Sequence, residues 1–181
     1  VLAGAAASGV LILVISYIAG RGDRQSVEAA EAFSRAHVAA IEGRMGEALL
    51  QGEAVSKKYD GTGAGALALL LVANAYFEMG RVGEARSAYL KARAERVKLD
   101  LLSFLIEHKR AGRTVAAYGA AAKGNTLLNF AGVRPDLLSF VCDAAPSKQG
   151  CFLPGSHVPV LPPAALKQRR PDFVLILPWN I

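Results

Sequence analysis

The stretch Thr114 to Asn125, TVAAYGAAAKGN, decides the fold of the C-terminal half of this chain. A short apolar run stops at Gly119, and a turn of small residues with one lysine then opens a helix. In nucleotide-type α/β units, this strand, loop and helix place N–H groups of the helix N-terminus against an anion. Apolar runs at 137–143 and 173–179 follow, with a helical pattern at 163–170 between them. The alternation predicts a parallel sheet covered on both faces.

The loop between the first strand and the helix matches neither the dinucleotide pattern GxGxxG nor the phosphate pattern GxxxxGK[ST]. Its residues still predict an anion site. Gly119 and Gly124 let the backbone approach a phosphate, Lys123 supplies a positive charge, and Asn125 caps the helix or contacts the ligand. The alternative is a tight strand-to-helix crossover with an exposed lysine. Asp143 ends the second apolar run, where an acid either accepts from a sugar hydroxyl or begins a turn.

Three blocks, at residues 118–129, 141–160 and 171–181, resemble the C-terminal domain of S-adenosylmethionine-dependent sugar C-methyltransferases. Those enzymes methylate a ring carbon of a nucleotide-linked deoxysugar. The resemblance covers about residues 97–181 and implies a Rossmann-like fold and a thymidine-diphosphate type of sugar ligand. With the loop analysis, it implies these substrate-binding residues: Tyr118, Gly119, Ala120, Lys123, Gly124, Asn125, Asp143, Lys148, Gly150, Pro154, Gly155, His157, Trp179 and Asn180.

The catalytic residue is not identified by the sequence. His157 is a weak candidate, because a histidine titrates near neutrality and can act on a hydroxyl, but a structural or orienting role is the alternative. Trp179 and Asn180 either contact the substrate or stabilise the end of the last strand. The zinc-binding segment and methyl-donor domain of the family are not recognisable here. We therefore expect this chain to bind no cofactor, S-adenosylmethionine being implied for the full-length family, and to be inactive alone.

Charge and cysteine content narrow the classes of partner. The net charge is +6, and residues 97–181 carry 10 Lys or Arg against 5 Asp or Glu, whereas residues 21–96 carry 11 against 10. A basic excess beside a glycine-rich turn suits a phosphorylated small molecule. No run of basic residues or nucleic-acid motif accompanies it, so nucleic acid is not expected. Cys142 and Cys151 lack metal-ligand spacing, so no metal is expected and a reducing compartment of cytoplasmic type is the default.

The first 20 residues, VLAGAAASGVLILVISYIAG, carry no charge. A helix of that length spans roughly the 30 Å of a bilayer core. The segment predicts a single-pass membrane anchor, with a cleavable signal or a buried helix as alternatives.

An internal repeat lies between this segment and the α/β half. The run Gly43-Arg-Met-Gly-Glu-Ala48 recurs as Gly80-Arg-Val-Gly-Glu-Ala85, a period of 37 residues. Such periods are typical of helical arrays, and the second copy matches the small, aromatic and turn-glycine positions of a tetratricopeptide repeat. The pattern predicts helices at 26–42, 46–58, 63–79 and 83–96, and an amphipathic helix at 99–108 that can continue the last of them.

The sequence therefore predicts an α plus α/β protein in three parts: an apolar helix at 1–20, tetratricopeptide-like hairpins at 25–96 and a truncated Rossmann-like domain at 97–181. The first functional hypothesis is binding of a nucleotide-linked sugar by the C-terminal domain as part of methyl transfer. The second is a membrane-tethered helical scaffold that binds a protein partner through residues 25–96. A natural or engineered fusion is the third.

Overall fold

A computed structural model describes residues 24–178. The chain divides into two compact units, with the boundary between Leu99 and Asp100. The predicted anchor at 1–20, together with Trp179 and Asn180, lies outside the described residues. Between residues 24 and 178, no helix is both long and apolar enough to cross a bilayer.

The first unit is helical. Its elements are α1 (Arg24–Ile41), α2 (Met45–Lys58), α3 (Gly63–Glu78) and the first part of α4 (Val82–Arg110). Helices α1, α2 and α3 pack on one another in sequence as antiparallel hairpins.

The first glycine of each copy of the internal repeat ends a helix, Gly43 after α1 and Gly80 after α3. Gly43 and Gly80 have φ of +75° and +73°, a conformation that glycine adopts without a Cβ penalty. The next amide in each case bonds back into the helix, from Arg44 to the carbonyl of Ala39 at 2.9 Å and from Arg81 to that of Tyr76 at 2.8 Å. This is the bonding of a Schellman motif, which turns the chain sharply into the next helix.

Small residues let the helices of this unit approach closely. Ala30, Ala36 and Ala68 are fully buried, and a Cβ at Gly65 would overlap the carbonyl oxygen of Tyr59. Thr62 caps α3, its Oγ1 accepting from the amide of Gly65 at 3.1 Å. The four predicted helices are thus confirmed as helices. Their kinship with tetratricopeptide repeats stays a prediction, since similar hairpins occur in other α-helical folds.

The second unit is an α/β layer structure. After α4 come β1 (Val115–Tyr118), α5 (Ala122–Phe130), β2 (Val141–Cys142), a single 3-10 turn (Pro146–Lys148), β3 (Val160–Leu161), α6 (Ala164–Arg169) and β4 (Phe173–Ile176). The strands form one sheet in the order β3-β2-β1-β4, and every neighbouring pair is parallel. The predicted parallel sheet is confirmed.

Two details of the predicted sheet are wrong. The run 137–143 forms only the short β2, because the amides of Leu137 and Leu138 both bond to the carbonyl of Arg134 at 3.0 Å and close a turn. The strand β3 was not predicted, because Val160 and Leu161 precede two prolines and read as loop.

Both faces of the sheet carry helices. Leu105 of α4 and Leu128 of α5 pack with Val115, Ala117 and Val141 on one face. On the other face, Ala165 of α6 packs with Ala116, Phe140 and Cys142. A βαβ unit that must bury apolar residues on both sides gives this doubly covered arrangement.

Candidate functional site

The strand order places a topological switch point at the carboxyl end of the sheet. From β1 the chain crosses to β2 on one side, whereas β4 lies on the other side of β1. Ligands of doubly wound sheets bind at such a switch point. The loop after β1 and the residues Leu177 and Pro178 after β4 meet there.

Gly119 shapes the loop after β1. Its φ is +90°, and a Cβ at this position would lie 2.6 Å from Cδ of Pro178, which follows β4. Its amide donates to the carbonyl of Cys142 at 2.7 Å. Glycine is therefore required both by the backbone conformation and by the close approach of the segment after β4.

The N-terminus of α5 follows the loop after β1 at this switch point. Its N-cap residue is Ala121, whose methyl group cannot accept a hydrogen bond from the first turn. Ala122 and Lys123 are exposed, and the first regular helical bond runs from the amide of Asn125 to the carbonyl of Ala121 at 3.0 Å. The first-turn amides and the positive end of the helix dipole are thus suited to an anion, and Lys123 adds a positively charged, exposed side chain in the same turn.

Gly124 has a packing reason in the structure. It is buried, and a Cβ there would lie 2.6 Å from Cβ of Leu177 and 3.2 Å from its Cδ1. The glycine lets α5 lie directly against the end of β4. The amide of Gly124 also belongs to the first turn of α5. Its predicted role, to let a phosphate approach the backbone, is compatible with this position and stays a prediction.

Asp143 is the most connected side chain of the site. Its Oδ2 accepts from the amide of Ala120 at 2.7 Å and from Nζ of Lys148 at 3.2 Å, and its Oδ1 accepts from the amide of Ala145 at 2.8 Å. Lys148 also donates to the carbonyl of Ala120 at 3.0 Å. The carboxylate therefore joins the loop after β1 to the loop after β2.

The charge state of Asp143 follows from these partners. Burial acts to raise the pKa of its carboxyl, but the amide hydrogen bonds of Ala145 and Ala120, together with Lys148, outweigh burial and lower the pKa below its ordinary value. The group is an ionised acceptor at neutral pH.

The predicted residues of the 153–157 turn lie elsewhere. Gly150 donates to the carbonyl of Val160 at 2.9 Å and Val160 donates to that of Cys151 at 2.8 Å, so this segment runs back along β3, away from the carboxyl end of the sheet. The turn is held by α5 and the residues after it: Asn129 Nδ2 donates to the carbonyl of Pro154 at 2.9 Å, and Arg134 donates to that of Gly155.

The residues at the start of α5 and the 153–157 turn lie at different positions along that helix. Asn129 follows Lys123 by six residues, which is about 9 Å along the axis of α5. His157 is exposed and has a φ of +58° in this turn. The structure therefore brings Gly119, Ala120, Asp143 and Lys148 together, with Lys123 in the helical turn that follows. It places Pro154, Gly155 and His157 toward the other end of α5.

Three further predicted residues have intermediate positions. Tyr118 ends β1 half-buried against the α6 face of the sheet. Asn125 is half-buried one turn into α5, where its Oδ1 accepts from Asn129 Nδ2 at 3.2 Å. Gly150 is exposed with φ of +81° and begins the return toward β3.

Two residues that matter here were not singled out by the sequence. Gln149 Nε2 donates to the backbone carbonyl of Asp143 at 3.0 Å and so holds the backbone of that residue in place. Asn129 bonds the 153–157 turn. Its spacing of four from Asn125 on one helix face was a signal that could have pointed to it.

The fold and the geometry at the switch point define the class: a doubly wound α/β domain with a candidate anion site where α5 begins. A family model described as the C-methyltransferase C-terminal domain matches residues 37–181, so the chain belongs to that family. The C-methyltransferase NovU of Streptomyces niveus is a relative, 38% identical over 86 residues. That match covers 48% of this chain and 20% of NovU, so the chain spans about a fifth of the length of this relative.

The family match corrects one boundary of the sequence analysis. The predicted resemblance began near residue 97, whereas the match begins at residue 37 and includes the last five residues of α1 and all of α2 and α3. Most of the helical unit therefore falls within the family's domain rather than ahead of it, and a separate repeat scaffold tethered to a membrane has no support from the comparisons.

Proposed function

We propose that the α/β unit binds the diphosphate of a nucleotide-linked deoxysugar, of thymidine-diphosphate type, and presents the sugar for C-methylation. The observation that carries the proposal is the N-terminus of α5, which lies at the switch point and whose N-cap residue, Ala121, accepts no hydrogen bond through its side chain. Family membership supplies the class of ligand, and the structure supplies a place where its charge can be held.

In the proposed complex, the phosphate oxygens accept from the first-turn amides of α5 and from Lys123. An exposed ammonium and uncapped amides complement a diphosphate without a metal ligand set. The loops at the carboxyl end of the sheet then orient the nucleoside and the sugar on either side of the diphosphate. These residues bind and orient, and the proton that leaves the ring carbon is not assigned to any of them.

The methyl donor does not fit this site. Rossmann-like sites hold a ribose through an acid at the end of β2. Here Asp143 occupies that position, is only 9% exposed and already accepts from Ala120, Ala145 and Lys148. S-adenosylmethionine, which the family implies for complete enzymes, therefore has no binding groups assigned among the described residues, and no step is derived through it.

Calorimetric titration with thymidine diphosphate tests the proposal. We expect binding by the wild-type chain and a loss of affinity of about tenfold or more in Lys123→Ala, because a hydrogen bond to a charged group contributes about 1.5–3 kcal/mol. The matched control is Lys167→Ala, an exposed lysine in the last turn of α6. Absence of binding by the wild-type chain at millimolar thymidine diphosphate and thymidine-diphosphate sugar would refute the proposal.

The alternative, a helical scaffold for a protein partner, stays a prediction. The match of the family domain across α2 and α3 favours nucleotide-sugar binding over it.

A further inference from the structure

We propose that Asp143 is a positioning residue, which shapes the loop after β1 for diphosphate binding and does not itself bind the sugar. The identity of the ligand rests on the proposed function. The claim that Asp143 holds the loop after β1 rests only on contacts among the described residues. Of the two roles that the sequence left open for Asp143, the inference favours initiation of a turn over acceptance from a sugar hydroxyl.

The first argument is the occupancy of the carboxylate. An ionised carboxylate offers about four acceptor sites. Three are filled by protein donors, at 2.7, 2.8 and 3.2 Å from Ala120, Ala145 and Lys148 respectively. An acid that recognises a hydroxyl needs an open acceptor facing the ligand, whereas Asp143 is 9% exposed.

The second argument is what these bonds hold. Ala120 is fixed from both sides, because its amide donates to Asp143 at 2.7 Å and its carbonyl accepts from Lys148 at 3.0 Å. The peptide groups that follow lead into Ala121 and the first turn of α5. Fixing Ala120 therefore sets the direction in which the first-turn amides point.

The third argument is that the acid is itself held. Gln149 donates to the backbone carbonyl of Asp143 at 3.0 Å, and the amide of Asp143 donates to the carbonyl of Leu161 at 3.1 Å. A side chain that orients a loop must itself be held in place, because a mobile carboxylate would not fix the position of the loop. The cluster of Ala120, Asp143, Lys148 and Gln149 thus works as a clamp between two loops.

Asp143→Asn in the full chain tests the inference with three probes: inorganic pyrophosphate, thymidine diphosphate and a thymidine-diphosphate sugar. The amide side chain keeps the shape but provides one acceptor oxygen in place of two. A positioning role predicts that all three probes lose affinity by the same factor, about tenfold. Asp136→Asn, at an exposed acid of the same unit, is the control and is expected to leave all three unchanged.

The opposite pattern would overturn the inference. If Asp143→Asn weakens only the sugar-bearing probe, the acid contacts the sugar. If it changes none of them while the wild-type chain binds all three, the clamp does not shape the site.

Amide hydrogen exchange separates this inference from the proposed function. In the wild-type chain the amide of Ala120 is expected to exchange at least tenfold more slowly than that of exposed Ala144, and Asp143→Asn is expected to remove that protection. This comparison of exchange rates needs no ligand, and its first part needs only the wild-type chain. Equal exchange of the two wild-type amides would refute the clamp, whereas absence of ligand binding with a protected Ala120 would refute the ligand and leave the clamp.

Discussion

Replacement of Gly124 by alanine tests how α5 is seated. The new Cβ would stand 2.6 Å from Cβ of Leu177, with Cδ1 and Cγ of the same side chain at 3.2 and 3.3 Å. Carbon atoms pack at about 3.5–4.0 Å, so the helix must move away from the end of β4. Overpacking of this kind costs about 1–3 kcal/mol, and alanine returns up to about 1 kcal/mol as a better helix former. With the middle of the first range, the net loss is about 1 kcal/mol.

Urea unfolding followed by circular dichroism measures this change, and the fluorescence of Trp179, the one tryptophan of the sequence, gives a second probe. Gly83→Ala is the matched control, since it also lies in the first turn of a helix and a Cβ there meets no atom within 4 Å. It is expected to be neutral or to stabilise by up to about 1 kcal/mol.

Equal stability of Gly124→Ala and the wild-type chain would show that contact with Leu177 does not explain the glycine. If such a stable variant also lost affinity for thymidine diphosphate, the role predicted from the sequence, approach of a phosphate to the backbone, would be the correct one.

Three further predictions concern stability. Thr62→Ala removes the cap of α3 and is expected to lower the free energy of unfolding by about 1 kcal/mol. Thr62→Ser keeps the hydroxyl and is expected to retain most of that stability. Equal losses in the two variants, measured by thermal unfolding, would contradict the capping role. Leu105→Ala, at a side chain with no exposed surface, is expected to cost about 2–5 kcal/mol, and a loss under 1 kcal/mol would argue against this core. Asp172 accepts from the amide and hydroxyl of Thr114, and these bonds hold its pKa below the ordinary 3.8. Its contribution is therefore present above pH 3.8 and lost as the pH falls through the lowered pKa. Asp172→Asn is expected to make the urea midpoint of unfolding depend less on pH between pH 2 and 5. An unchanged pH dependence in the variant would show that Asp172 does not contribute to it.

The helical half was predictable because its signals are local. The repeat of 43–48 at 80–85 placed two turn glycines, and both adopt the left-handed conformation that ends a helix. Helix boundaries came within two residues for the first three helices. What local signals did not reveal is that the family's domain begins within this half, since hairpins of this kind look alike in sequence whichever domain they belong to.

The site was predictable only in part, for a related reason. Gly119 and Lys123 follow β1 closely in the sequence and therefore lie near the switch point, while their role in binding stays a prediction. The 153–157 turn was expected beside them, but the antiparallel return along β3 carries it toward the other end of α5. A sequence pattern marks a loop as irregular without stating the direction in which it leaves the sheet.

The sequence by itself determined the parallel sheet and, through the three blocks that resemble the family, the kinship of the α/β half, because periodicity, turn glycines and such blocks are properties of neighbouring residues. Only the tertiary structure decided what the polar residues do. Asp143 clamps two loops and Gly124 is a packing position because their partners, Ala120 and Leu177, lie in the segments that follow other strands, β1 and β4. These contacts join residues that are far apart in the sequence, so no local pattern predicts them.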